Sequence, residues 1–336
     1  MPADGPGAGR VSAPDLAALA ARLAALPGLL GKGEIQRPAA VFCHQPFPSL
    51  GAAAALGDDA GLVPAQAGPL LLACEGLNPT FVDDDPWFAG WCGVLVNLSD
   101  IAAMGGRPLA VVNSLWSRGV EPADQLLAGM RRACDTFAVP MVGGHTNLAS
   151  PFTALSVAVL GSAGPRLLSA RAASPGDQLM LLLNPVGRFH RHYLFWDAAT
   201  HADPLLVRRQ LALLPELAEQ GLVHAAKDIS MGGLVGTAAM FAEAAGCCLE
   251  IDLGAITPPP GVDLEDWISC FPSFGFLLAV QPDRLAALAE LVAPLPALEL
   301  ATIGQFQPGA GVRLRLGDQR ADLQGAAPFT GFGAFH

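Results

Sequence analysis

The sequence predicts a layered α/β protein of two domains. Three observations carry this reading. The chain has 336 residues, more than one hydrophobic core usually organises, since domains cluster near about 150 residues. Apolar residues make up 52% and charged residues 15%, so there is enough apolar surface for a large buried interior. Strand-like apolar runs also alternate with helical stretches along most of the length, which is the pattern of mixed α/β layers.

Each element follows from its own residues. Over 14–26, Leu16, Leu23 and Leu26 recur near helical spacing and predict an amphipathic helix, followed by a Gly31-Lys32-Gly33 turn. Gly57-Asp58-Asp59-Ala60 precedes an apolar strand at 70–74. Asp85-Pro86 reads as a helix start, because Asp can cap free N–H groups and Pro fits the first turn. That helix runs to 103, where Gly105-Gly106 and Pro108 stop it. A strand at 109–115, a helix at 122–137, a short strand at 139–142 and another strand at 154–160 complete the first half. The stretch 161–175 is rich in Gly, Pro and Arg and marks a domain boundary near 165. Beyond it come a strand at 178–183, a small-residue helix at 234–245 closed by Gly246, and strands at 249–253 and 276–280 around the Pro258-Pro259-Pro260 loop. No repeat of fixed period is present.

Charge and cysteine usage narrow the function. A formal net charge of −11 with no basic stripe argues against nucleic-acid binding, which needs clustered cations on phosphates. A nucleotide remains accessible to such a chain through metal ions or a nest of backbone N–H groups. The basic residues are 17 Arg and only two Lys, Lys32 and Lys227. No apolar run approaches the ~20 residues of a membrane span. The N-terminus, with Asp4, Arg22 and Pro27, lacks the pattern of a secretory signal, so a cytoplasmic location is expected. The seven cysteines form no Cys-x-x-Cys pair and no zinc spacing, and read as reduced, buried small hydrophobes.

Three acidic, glycine-rich clusters point to a divalent metal and a phosphate. Asp58 and Asp59 are adjacent, and on extended backbone they point opposite ways. Asn97 and Asp100 lie three apart on the predicted helix and share a face, a carboxamide beside a carboxylate that suits oxygen coordination of Mg²⁺. Gly143-Gly144 lets backbone approach a ligand closely, with His145 and Thr146 beside it. Two carboxylates about 4 Å apart repel by roughly 1 to 4 kcal/mol at surface-like dielectrics, so gathering them around a polyphosphate calls for cations between them. In the second half, Asp228 precedes Gly232-Gly233 at a helix entrance, where backbone N–H groups and the helix dipole receive anions. Each cluster also has a plain structural reading: Asp85 as a helix cap, Asp58-Asp59 as part of a Gly-Asp turn, His145 as a structural histidine.

Taken together and in order, Gly57-Asp58-Asp59-Ala60, Asp85-Pro86, Asn97-Leu98-Ser99-Asp100 running through Met104-Gly105-Gly106-Arg107-Pro108, Gly143-Gly144-His145-Thr146 and Asp228-Ile229-Ser230-Met231-Gly232-Gly233-Leu234 resemble the aminoimidazole-ribonucleotide (AIR) synthetase superfamily. That superfamily includes selenophosphate synthetase, thiamine-monophosphate kinase and the hydrogenase-maturation dehydratase HypE. The resemblance spans roughly 30–310 and is closest to the AIR-synthase-related branch. It implies an arm at 1–30, an N-terminal dimerising β-sheet domain at 31–164, a C-terminal α/β sandwich domain at 165–310 and a tail at 311–336. It implies a homodimer whose N-terminal sheets form a shared barrel, and ATP with Mg²⁺ in a long cleft, phosphorylating an oxygen of a small-molecule substrate, often an amide.

Carried over residue by residue, the resemblance assigns metal binding to Asp58, Asp59, Asp85 and Asp100. It assigns nucleotide contacts to Asn97, Gly143, Gly144, Thr146, Lys227, Gly232 and Gly233, and catalytic roles to Lys32, His145 and Asp228, with Lys32 or Lys227 meeting the phosphate. His145 departs from the pattern, standing where relatives commonly place an acid. The Gly-Glu-Asp-Tyr-Glu stretch of thiamine-monophosphate kinase is absent, with Phe271-Pro272-Ser273-Phe274-Gly275 in its place. No cysteine lies near the N-terminal Gly-rich turn or in 331–336, so sulfur or selenium chemistry is not expected. A thiamine-monophosphate-kinase-like activity and a non-catalytic nucleotide-binding scaffold stand as alternatives.

Overall fold

The computed structural model describes residues 15–32, 61–65, 68–325 and 327–333. The first half builds a mixed five-stranded sheet in the order β1 (Gly61–Ala65), β2 (Gly68–Gly76), β5 (Ala154–Ala163), β3 (Gly106–Trp116), β4 (Met141–Asn147). Neighbours pair antiparallel except β3 and β4, which run parallel with Ser114 opposite His145. After the short helix α3 (Pro79–Asp84), helix α4 (Pro86–Ala103) covers the inner face, with α5 (Val120–Phe137) packed outside it. Helix α4 is apolar all round because it is enclosed all round: Trp91, Val94, Leu98, Ile101 and Ala102 are fully buried.

The second half builds a seven-stranded mixed sheet in the order β15 (Gln319–Gln324), β14 (Gly311–Leu316), β10 (Cys248–Asp252), β13 (Glu299–Gln307), β6 (Gln178–Leu183), β12 (Gly275–Val280), β9 (Ala225–Asp228). Residues 311–324, expected as tail, therefore form the last two strands of this sheet, with β15 at its edge. The central strands are covered on both faces, which removes the polar–apolar alternation and leaves continuous runs such as 178–183.

Side-chain alternation splits that sheet between two cores. Met180, Leu182, Phe276 and Leu278 face the helix α7 (Leu213–Glu219) and join the interior of the first domain. Leu179, Leu181, Leu183 and Leu277 face the helix α8 (Gly233–Ala245). The N-terminal helix α1 (Leu16–Ala24), capped by Asp15, packs Leu16, Leu19 and Leu23 into this second core, and Arg22 pairs with Glu265 at 2.9 Å. Helix α2 (Pro27–Lys32) follows it across the domain junction. Gly31 and Lys32, expected in a turn, are the last two residues of that helix. No helix of the described residues is long and apolar enough to cross a membrane.

Candidate active site

The junction is assembled from the C-terminal part of α4 and the strand β9, which pack against each other. Two backbone bonds hold the register: Leu168 N–H donates to the Met104 carbonyl at 3.1 Å, and Ala226 N–H donates to the Leu168 carbonyl at 3.0 Å. Helix α4 carries Asn97, fully buried, and Asp100, 7% exposed; β9 ends on Lys227 and Asp228, 2% and 5% exposed. Sequence spacing alone could not reveal this meeting of residues more than a hundred positions apart. Asn97 Nδ2 donates to the Gly93 carbonyl at 2.8 Å, while its Oδ1 is buried without a partner among the described residues. Such an orphaned acceptor awaits a donor or a cation.

Past Asp228 the chain turns sharply into α8. Thr237 Oγ1 donates to the Asp228 carbonyl and accepts from Ser230 N–H, both at 3.3 Å, which ties the turn to the helix it precedes. No side chain caps α8 at Gly232; its Gly233 N–H donates to the Ser230 carbonyl at 2.8 Å, and the positive end of the helix dipole lies at this turn. Gly233 sits at φ +64, and a Cβ there would fall 2.7 Å from Ser269 Cα. A left-handed residue in such contact has to be glycine. Asn97 and Asp100 thus lie on the helix that packs against β9, whose end carries Asp228 opposite Phe276 on the face toward the first domain and Lys227 opposite Leu277 on the face toward α8, just ahead of Gly232 and Gly233.

The other expected residues lie elsewhere. Asp85 caps α4 by accepting from Phe88 N–H at 3.2 Å, and its other oxygen meets His190 Nε2 at 2.8 Å and Arg191 Nε at 3.2 Å. Asp84 accepts from the Tyr193 hydroxyl, and Asp83 pairs with Arg118 at 3.0 Å. Asp84 and Asp85 are therefore met by the 190–193 loop of the second domain, and Asp83 by Arg118. His190 also stacks on Phe88, ring centroids 3.6 Å apart. Gly143, Gly144, His145 and Thr146 lie in β4, an exposed edge strand rather than the loop after a strand, with His145 6.5 Å from Trp116 between ring centroids. Asp58, Asp59 and the Lys32 side chain fall outside the described residues. No cluster of three or more His, Cys, Asp or Glu fit for a metal ion occurs among the described residues.

Two adjoining cavities open beside the Met231-Gly232 turn, of about 350 and 500 Å³, sharing Gly28, Asn78, Phe81, Phe195, Met231 and Phe271. The sequence reading missed this wall of aromatic and N-terminal residues. It also missed His190, Arg191 and Tyr193, although a His-Arg-His-Tyr run complementing Asp-Asp-Asp was a legible signal. Burial and the Asp84 hydrogen bond push the Tyr193 phenol up to about 12. Burial pushes the Cys92 thiol, on the wall of the larger cavity, well above the ordinary range, which keeps it unreactive.

Comparison with known proteins fits this architecture. Residues 57–163 match the AIR synthase related protein N-terminal domain, and 175–317 the corresponding C-terminal domain. An uncharacterised protein of Synechocystis sp. is 45% identical over 309 residues, covering 91% of this chain and 95% of that one. Among solved structures, Thermotoga maritima PurL complexed with ADP superposes with a TM-score of 0.67 at 19% identity, over 80% of this chain and 46% of that one. AaThiL complexed with AMPPCP and TMP superposes with a TM-score of 0.60 at 20% identity, over 80% and 91%. Both share the two-domain α/β fold with mixed sheets.

Proposed function

This chain belongs to the AIR synthase-related family, and on that premise we propose that it transfers the γ-phosphoryl group of ATP, in a Mg²⁺-dependent reaction, to an oxygen of a small molecule. The observation that carries this reading is the pairing of a buried lysine with an uncapped helix N-terminus: Lys227 and Asp228 lead directly into Gly232-Gly233. Lys227, 2% exposed, brings a cation to the turn that enters α8, where the positive end of the helix dipole adds to it, a combination suited to a polyanion. PurL complexed with ADP and AaThiL complexed with AMPPCP and TMP share this fold, which supports a nucleotide here.

When bound, Mg²⁺ supplies charge neutralisation to the polyphosphate. Asp100, with the free carboxamide oxygen of Asn97 one turn earlier, fits the oxygen donors that cation takes; Asp58 and Asp59 complete the proposed set. Asp85, already engaged by His190 and Arg191, serves in this reading as a pin between domains. Lys227 and the α8 N–H groups hold the transferring phosphoryl. The acceptor oxygen bonds to the γ-phosphorus as the bond to the bridging oxygen breaks; ADP leaves with that oxygen, and the acceptor's proton passes to Asp228.

The reading includes a homodimer. The outward face of the first sheet exposes Leu72, Val112 and Leu160, with Leu72 directly opposite Leu160, a row of apolar groups suited to a second copy of the sheet. His145, on the exposed edge strand of the same sheet, reads as a contact to nucleotide or substrate in that assembly.

ADP release screened against amides, amines and nucleotide precursors tests the proposal. Acceptor-dependent turnover that disappears in Asp228→Asn, with ATP binding retained, is expected. ATP binding without turnover for any acceptor would leave a nucleotide-binding scaffold instead.

A further inference from the structure

Residues 16–32 precede both matched domains, yet they form part of a cavity wall. Helix α2 lies so close to the turn before α8 that a Cβ on Gly28 would stand 2.5 Å from the Met231 carbonyl oxygen. The cavity of about 350 Å³ closed in this way is within the range of small-ligand sites. Its lining is apolar and aromatic. Phe81, Phe195 and Phe271 meet edge to face, with centroids 5.0 Å apart for the first two and 5.6 Å for the last two, and Tyr193 completes the group against Phe81 at 5.1 Å. Such a box offers both ring faces and ring edges to a flat guest.

Asn78, Thr80, His192 and the Tyr193 hydroxyl add polar groups to the lining. Ser269, 7% exposed, also lines the cavity, and its Oγ has no hydrogen-bond partner among the described residues. Its backbone packs against Gly233, which places Ser269 beside the N-terminus of α8, where no side chain caps the helix. A buried hydroxyl left unsatisfied costs about 1–3 kcal/mol, which a ligand's polar group recovers. No carboxylate, lysine or arginine occurs among the described lining residues. The adjoining carboxylate, Asp84, is engaged by Tyr193 and His192, and a cation placed there would meet the positive end of a helix dipole.

We propose that this cavity is the acceptor pocket, that the arm 16–32 is its specificity wall, and that it takes a flat, ring-bearing molecule without positive charge whose polar, phosphate-accepting group lies between Ser269 and the α8 N-terminus. The proposal rests on the phosphoryl-transfer reading for what happens next, and on the cavity alone for what binds.

The test is ligand-observed NMR on the full chain with three probes: 2-naphthamide, acetamide and the cationic 2-naphthamidine, with ATP calorimetry run in parallel. Expected are binding of 2-naphthamide, no detectable binding of acetamide, and binding of the amidine weaker by about tenfold or more. Ser269→Ala weakens 2-naphthamide about fivefold, Ser269→Thr restores much of it, and neither changes ATP affinity. Equal binding of amide and amidine, or an unchanged affinity in folded Ser269→Ala, overturns the proposal. So does loss of naphthamide binding with ATP binding intact in the unmodified chain. Naphthamide binding without ATP binding supports the pocket and removes the phosphoryl-transfer reading.

Discussion

At the scale of single residues, the domain junction depends on side chains whose roles follow from their partners. Tyr193 is the single tyrosine of the chain, so its tyrosinate absorbance reports it without overlap. Its phenol is raised in the folded state, so the neutral form is favoured by folding. The stability it contributes is complete below the unfolded value near pH 10 and is lost as pH rises toward about 12. An ultraviolet titration of the native protein is expected to show a midpoint near that value, falling part of the way toward the ordinary one in Asp84→Ala because burial remains; a midpoint that Asp84→Ala leaves unchanged would contradict the Asp84 contact. Asp85→Asn keeps a capping side chain but strands His190 and Arg191, so a loss of about 1–3 kcal/mol is expected. The Mg²⁺ dependence of ATP binding should not change, and its collapse would mark Asp85 as a metal ligand. Sequence alone showed that Asp85 begins a helix; it could not show a loop a hundred residues later arriving with an imidazole and a guanidinium.

At the scale of elements, helix α4 reaches the site because α5 presses it onto the sheet with backbone touching backbone. A Cβ on Gly90 would lie 2.1 Å from the Leu126 carbonyl oxygen, and one on Gly129 would lie 1.9 Å from that of Trp87. Gly90→Ala therefore forces the helices apart, and a loss of about 1–3 kcal/mol or more is expected in chemical denaturation. A change within about 0.5 kcal/mol would show that the crossing is looser than described. Helices α4 and α8 were legible from Asp85-Pro86, Gly105 and Gly246, because caps and left-handed glycines act locally. Strand β4 was read as ending before Gly143, because Gly-Gly-His-Thr carries no apolar alternation; pairing with β3 carries it on to Asn147. Strands β13 to β15 escaped notice for a related reason. Residues 319–324 are a polar edge whose place is fixed by its neighbour β14, not by its own pattern.

At the scale of the whole molecule, the two-domain α/β architecture was readable from length, composition and the order of motifs, whereas the site was readable only in pieces. The motif residues 97–100 and 227–233 converge because one face of the second sheet shares a core with the first domain, a long-range fact invisible to local spacing. The exposed face carrying Leu72, Val112 and Leu160 predicts that Leu160→Arg shifts a dimer to monomer in sedimentation, while a wild-type monomer at micromolar concentration would remove the dimer from the proposal. The central claim, that ATP with Mg²⁺ is held where α4 meets β9 and α8, is tested most directly by calorimetric titration of ATP into the full chain with and without Mg²⁺, beside Lys227→Met. Mg²⁺-dependent binding is predicted, weakened about tenfold or more, roughly 1.4 kcal/mol, in the folded Lys227→Met protein. No ATP binding by the unmodified chain, or binding that Lys227→Met leaves unchanged, would contradict it.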